Sequence, residues 1–517
     1  MIRILDTKPS LLFCPLVAIV GLLHLFFLAK SPPVLVDEPW LAERSLALLH
    51  TGKADLASFP LTFGKMSSIT PLRDWIQSKL IHFFGFNLFG IRLISLLAFL
   101  GSLPLWYHYF SCLFGARCAL TFICFYSFQL NVWISSHFAR PEAGLLFFMA
   151  LSLCLGKVKL LGRNLAFFLM GLSGGLAFYF YPVGILIPIT VGSVYLIEAL
   201  QKRSFQIMPF GIFLASVIGT LFSYFLFVDY NAFRLSIVGP TTRLVSQNFF
   251  STQSFGFLAY FLDEHVDTVK RLRILVLSAV LITIFLGGRV RRSSNDGFES
   301  FCAALTGLAA TFLFLLFFAP TSHFYFVYLY AWLTILLVTS VYSLTAKRPF
   351  RVLVYSALIF TCLANWIAFL GFFRGHDFQS YQRRITDVIP AGSTVLARIP
   401  NRLVFSEDYR FLAFEDLDTA KRLGLITDLS AYVEKFGINY VLYDSALEKG
   451  EAEAPTPFHF DDFLRQHAKA VGEIFDNFYG SRDYDRVPWR GMYPYWRESF
   501  LGKRNRYFTR IYKIERS

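Results

Sequence analysis

Eleven stretches of this chain are apolar enough, for long enough, to cross a bilayer, and short polar segments separate them. They cover residues 11–29, 87–110, 113–134, 141–156, 164–181, 183–200, 207–228, 272–288, 300–318, 323–344 and 350–373. A helix needs about 17–25 residues to span the hydrocarbon core. The pattern therefore predicts a polytopic α-helical membrane protein of about eleven spans over residues 1–374. The first run could pass for the apolar part of a signal peptide, but no small-residue cleavage site follows it, so a retained helix is expected. Two regions break the alternation. Residues 31–86 contain VDEPWLAERSLALLHTGK, an amphipathic helical pattern between the first two runs. Residues 375–517 read as a small α/β domain. There VIPAGSTVLARI, INYVLYD and YFTRIYKIE have strand character, LSAYVEKFG is an amphipathic helix closed by Gly437, and GEAEAPTP is a flexible stretch.

Composition agrees with the pattern. Hydrophobic residues make up 55% of the chain and charged residues 16%, against about 45–50% and about 25% in soluble globular proteins. The seven cysteines lie in or beside apolar runs with no metal-type pairing, which marks them as small buried hydrophobes. A net charge of +14 would suggest nucleic acid if it were spread over a surface. It is not: residues 375–517 carry 21 Lys and Arg against 21 Asp and Glu, so the excess lies in the membrane part. It falls in alternate short loops, GAR, KVKLLGR, QKRS, GGRVRRSSND and TAKRPFR, as expected of cytoplasmic loops. An odd number of spans then puts residues 375–517 on the extracytoplasmic side, together with the loop 31–86. No nucleic-acid partner is expected.

That topology sets Asp37 and Glu38 just outside the first span. Asp is a good N-cap and Pro39 suits a first turn, so the pair also caps the helix that follows. Capping and catalysis are compatible. Sugar transfer from a polyprenyl-phosphate carrier needs a base for the acceptor, cations for the phosphate leaving group and an apolar groove for the lipid. A carboxylate in a low-dielectric cleft serves as such a base. Arg140 and Glu142, in SSHFARPEAGLLFF, fall at the entrance to the fourth run on the same face.

Three ordered elements resemble one family. DEPWLAERSLALLHTGKAD, ITPLRDWIQSKLIHFFGFNLFGIRLIS and HFARPEAGLLFF are similar, over about the first 155 residues, to bacterial membrane glycosyltransferases related to protein O-mannosyltransferases and the lipid A aminoarabinose transferase. The resemblance implies a GT-C fold in the bacterial inner membrane. It implies inverting hexosyl or pentosyl transfer from a polyprenyl-phosphate-sugar donor, on the periplasmic face, to a lipid, glycan or protein acceptor of the envelope. Asp37 would be the base, with Glu38 and Glu142 as further site acids. Many relatives carry a Lys before the Pro-Leu element. Here Ser67, Ser68, Ile69 and Thr70 stand there, and Lys65 or Arg73 would have to substitute. HFYFVYLYAWLTIL resembles a later family element, which brings in His323 and Tyr325 although the prolines of that element are absent.

A basic cluster, Lys270, Arg271 and Arg273, breaks the charge pattern of the loops. A long loop tolerates such charge, and a phosphate grip would use it. The carboxylates also suit Mg²⁺ or Mn²⁺, though no His/Cys ligand set accompanies them. A transporter or flippase of lipid-linked saccharides is the rival reading, because ionisable groups are expected there too. The acids gather on one face and no inverted repeat is visible, which favours the enzyme.

Overall fold

The computed structural model describes residues 9–30, 34, 37–62, 68–228, 284–285, 295–318, 327–344, scattered positions between 352 and 367, 378–426, 428–445, 447–448, 460–475 and 508–515. The runs expected at 272–288 and 350–373 fall largely outside these residues, and GEAEAPTP wholly so.

Helices form where the apolar runs predict them. They are α1 (Pro9–Phe27), α2 (Asp37–Thr51), α3 (Pro71–Phe84), α4 (Leu88–Phe114), α5 (Ala116–Ser127), α6 (Leu130–His137), α7 (Glu142–Leu155) and α8 (Arg163–Phe180). A single 3₁₀ turn, Pro182–Ile185, leads into α9 (Leu186–Gln201), followed by α10 (Ile207–Phe227), α11 (Asn295–Phe318) and α12 (Val327–Leu344). Among the described residues, four helical stretches are long and apolar enough to cross a membrane unaided: Leu88–Phe114, Pro182–Gln201, Ile207–Phe227 and Gly297–Leu315. Shorter apolar helices, Leu11–Phe27, Glu142–Leu155 and Val327–Ser343, pack beside them. Close approach depends on small residues. A Cβ added at Gly171 of α8 would stand 2.4 Å from the Phe213 carbonyl oxygen of α10, and one at Gly175 would stand 2.5 Å from Thr220 Cβ.

The third predicted span is not one helix. It breaks at Phe128 and Gln129 into α5 and α6, which meet at 66°. No proline causes this. The bend is made by tertiary contacts: Trp366 Nε1 donates to the Phe128 carbonyl that the break leaves without a helical partner, at 2.9 Å. Trp133 then packs on Phe27, His24 and Trp366. The break matters because α6 ends directly before Phe138-Ala139-Arg140-Pro141, the segment that enters the site.

Beyond the spans, α13 (Phe378–Thr386) precedes a five-stranded sheet ordered β2-β1-β3-β5-β4. Its strands are β1 (Thr394–Ala397), β2 (Arg410–Ala413), β3 (Tyr440–Asp444), β4 (Ala468–Phe475) and β5 (Phe508–Ile514). The first three run parallel; β5 and β4 join antiparallel. Three helices pack with it: α14 (Phe414–Arg422), α15 (Leu429–Phe436) and α16 (Phe460–His467). Helix α15 has the ends its sequence predicts. Asp428 accepts from the Ser430 and Ala431 amides, and Gly437 adopts the left-handed conformation, with φ +64°, that closes it. Strands β2 and β4 were not among the expected elements. The four residues of β2 are too short a run to show a period, and β4 is mostly exposed.

The sheet does not stand apart from the loop. Val34, Ala42, Leu46, Leu56, Phe59 and Ile91 share one core with Phe378, Val395, Leu403, Phe411, Leu442 and Ile511. Polar contacts fix the join. Ala413 N–H donates to the Ser58 carbonyl at 2.9 Å, and the Leu61 and Thr62 amides donate to the Asp416 carboxylate at 3.2 and 3.0 Å.

Candidate active site

The two adjacent acids that open α2 have different surroundings. Successive residues in a helix point about 100° apart, so Asp37 and Glu38 cannot face the same neighbours. Glu38 turns inward and is fully buried. Arg92, in the first turn of α4, grips it with two parallel bonds, Nε and Nη2 to the two carboxylate oxygens, each 2.8 Å. The Ala139 amide donates to the same carboxylate at 2.8 Å, and Arg92 Nη1 donates to the Leu28 carbonyl at 3.1 Å. One ion pair thus ties the end of α1, the start of α2, α4 and the segment before α7. Glu38 was expected among the reactive acids, but it sits in this closed pair.

Asp37 turns outward, with its side chain 48% exposed. Its partner is Arg140 Nη1. The same guanidinium reaches Glu142 through Nη2 at 2.9 Å and through Nε at 3.1 Å, so it stands between two carboxylates. Glu142 is buried, at 1% exposure. Arg140 itself is held by its backbone: Ser95 Oγ donates to its carbonyl at 3.0 Å, and Arg73 Nη2 donates to the Ala139 carbonyl at 2.7 Å. The site predicted from Asp37, Arg140 and Glu142 therefore comes together from elements about a hundred residues apart. Arg140 neutralises both Asp37 and Glu142.

Behind these groups lies a second set on α2 and α3. Arg73 is fully buried and pairs with Asp74, Nη1 to Oδ1 at 3.1 Å. Asp74 also accepts from the hydroxyls of Ser68 and Thr70. Burial lowers the affinity of Arg73 for its proton, Asp74 opposes that, and the nearby Arg44 charge adds to it. Arg44 is buried at 3% exposure, and its Nε has no hydrogen-bond partner. Burial likewise draws its pKa down, against the attraction of Asp74. Arg44 was not singled out from sequence, and Arg92 entered only within the family-like element ending GIRLIS, yet each had a signal. Arg92 is a charge inside an apolar run, which demands a partner. Arg44 lies seven residues after Asp37, about 20° from it around the helix.

Toward the sheet, Glu43 accepts from the Ser58 amide at 3.0 Å and from its hydroxyl, and faces Arg402 at 3.8 Å. Burial raises the pKa of Glu43, with Arg402 and Ser58 pulling the other way. Lys65, Lys270, Arg271, Arg273, His323 and Tyr325 lie outside the described residues. Among the described residues no group of three or more His, Cys, Asp or Glu side chains is arranged to hold a metal ion. The guanidinium of Arg140 fills the place between Asp37 and Glu142 where Mg²⁺ or Mn²⁺ would have to bind both.

This arrangement can be compared with known proteins. Residues 68–226, about a third of the chain, match the family described as dolichyl-phosphate-mannose-protein mannosyltransferase. No curated protein sequence matches significantly. The fold resembles the crystal structure of ArnT from Cupriavidus metallidurans bound to undecaprenyl phosphate, at 14% identity and a TM-score of 0.57, covering 97% of each chain. The same protein in the apo state gives 14% identity and a TM-score of 0.57 over 87% of this chain and 95% of that one. At that identity the likeness shows the fold. Residues 68–226 are thus similar in sequence to protein mannosyltransferases, and the fold of this membrane protein is similar to that of ArnT.

Proposed function

We propose that this protein is an integral membrane glycosyltransferase that moves a sugar from a polyprenyl-phosphate donor to an envelope acceptor. The carrying observation is the half-exposed carboxylate of Asp37, held where the first loop meets the spans by Arg140, which Glu142 anchors in turn. Asp37 takes the proton of an acceptor hydroxyl or amine as its lone pair attacks the anomeric carbon. The bond from that carbon to the phosphate oxygen breaks, its electrons pass to the phosphate, and the configuration inverts. Arg140 aims Asp37, and Glu142 keeps Arg140 in place. Glu38 and Arg92 position the loop without touching substrate.

ArnT, whose fold this chain shares, is seen with undecaprenyl phosphate, which supports a polyprenyl phosphate as the carrier. Placement in the inner membrane with the loop and sheet on the periplasmic side rests on loop charge. It is supported by a cavity of about 290 Å³ at which Lys157, Arg163, Lys202 and Ser204, from two loops assigned to the cytoplasm, converge. The acceptor is lipid A, core glycan or a protein side chain. The test is transfer from a polyprenyl-phosphate sugar by wild type and Asp37→Asn, with mass analysis of envelope lipids and glycoproteins. Transfer by Asp37→Asn near the wild-type rate would remove Asp37 as the base.

A further inference from the structure

We propose that Arg44 is a phosphate-binding residue of this site, reserved for the phosphoryl group of the lipid-linked donor; this rests on the glycosyltransferase reading above. The first ground is charge without a partner. The other buried arginines near the loop are paired: Arg92 with Glu38, Arg140 with Asp37 and Glu142, Arg73 with Asp74, and Arg402 close to Glu43. Arg44 is as buried as they are, yet no hydrogen bond or ion pair holds its guanidinium among the described residues; its Nε, like those of Arg73 and Arg402, is enclosed without a partner. Its one ring contact is weak, with the guanidinium carbon 5.8 Å from the centre of Trp40. Asp74, the acid whose charge acts on Arg44, is already engaged by Arg73, Ser68 and Thr70. Two guanidinium groups, Arg44 and Arg73, thus lean on one carboxylate, only Arg73 in direct contact, with Glu142 the further acid felt at Arg73. Burying a guanidinium without a direct partner is costly, so an anion of the working complex is its natural partner.

The second ground is position. Arg44 stands two helical turns from Asp37 on the same face of α2, about 10 Å along the axis. Helical side chains lean toward the N-terminus, the end of α2 that carries Asp37. Its charge is also felt at Tyr181, the residue that ends α8. Arg44 thus sits at the level where a span ends and the polar loop begins. A lipid phosphate lies at that depth, with its chain in the hydrocarbon and its sugar toward the polar side. An arginine fork suits the oxygens of a phosphoryl group.

The experiment measures binding of undecaprenyl phosphate to the full-length protein in nanodiscs, together with the lipid-free melting temperature. Arg44→Met should weaken binding about ten- to a hundredfold and leave the lipid-free melting temperature unchanged or raised, because an unpaired buried charge is removed. Arg44→Lys should fall between, and the apparent KM for the lipid donor should follow the binding. Equal binding by Arg44→Met would overturn the proposal, and so would weaker binding accompanied by a lower lipid-free melting temperature, which marks a structural arginine. Inorganic phosphate stabilising wild type as strongly as the lipid does would overturn the lipid-linked assignment. If wild type binds no undecaprenyl phosphate, the donor reading falls and Arg44 falls with it. If Asp37→Asn still transfers sugar, only the base is lost and the Arg44 result stands.

Discussion

Asp37 and Glu38 are chemically near-identical neighbours, and the fold gives them opposite surroundings. Glu38 has a full shell: a two-bond arginine, a backbone amide and no contact with water. Asp37 has one arginine that it shares with Glu142, and about half of its side chain is open. A carboxylate whose lone pairs are all engaged has nothing left to accept a substrate proton. One that is aimed but open does. The difference comes from about 100° of helical rotation, and it separates an acid that builds the site from an acid that can work in it.

The sharpest way to break this comparison is to neutralise each acid in turn. Asp37→Asn should cut transfer by about 10²–10⁴, the usual contribution of a general base, with the melting temperature within about 2 °C of wild type. Arg92→Met should do the reverse. It strands Glu38 without its arginine and should cost about 3–5 kcal/mol of stability, read as a lower midpoint in thermal unfolding. Adding Glu38→Leu to Arg92→Met should recover part of that loss, because the buried charge goes with it. A double variant no better than the single one would show that Glu38 contributes more than a charge for Arg92.

Buried acids with weaker partners sharpen the comparison through pH. Burial pushes the Glu415 carboxyl up to about 7, with the Arg398 charge opposing it, and Glu43 moves in the same direction. A folded pKa above the unfolded value means that the protonated form is favoured by folding. The stabilisation is therefore complete below the ordinary carboxylate range and is lost as pH rises through about 7 for Glu415. The melting temperature of wild type should fall across that window, and Glu415→Gln should flatten the fall. The smallest effect belongs to His50 and Glu407, an exposed pair 2.7 Å apart with side chains 52% and 49% open. His50→Ala should change stability by less than about 1 kcal/mol, measured by the same unfolding assay.

The legible part of this protein was carried by one-dimensional signals. Apolar runs gave α1, α4 and α7 through α12 where they can be compared, the amphipathic pattern of the first loop gave α2, and Gly437 with its amphipathic octet gave α15 to the residue. Asp37, Arg140 and Glu142 were readable as polar breaks beside apolar runs. The bend between α5 and α6 was not, because Trp366 makes it from more than two hundred residues away. The pairing of Glu38 with Arg92 was also hidden, since nothing local distinguishes an acid that turns inward from its neighbour. Arg44 looked like one charge on an amphipathic helix, and its lack of a direct partner among the described residues shows only once the acids there have been assigned.

The sequence by itself determined that the chain spans a membrane and where most helices lie. Hydropathy and helical period are properties of short windows, and a bilayer enforces them. It also determined which residues carry charge at the mouths of those helices. Tertiary structure alone decided which charges meet. Ion pairs join α2 to α4 and α2 to the segment before α7, and the sheet closes over the loop through a shared core. The reason is physical: charge in a buried place is tolerated only with its partner, and the fold, which spans the whole chain, chooses the partner.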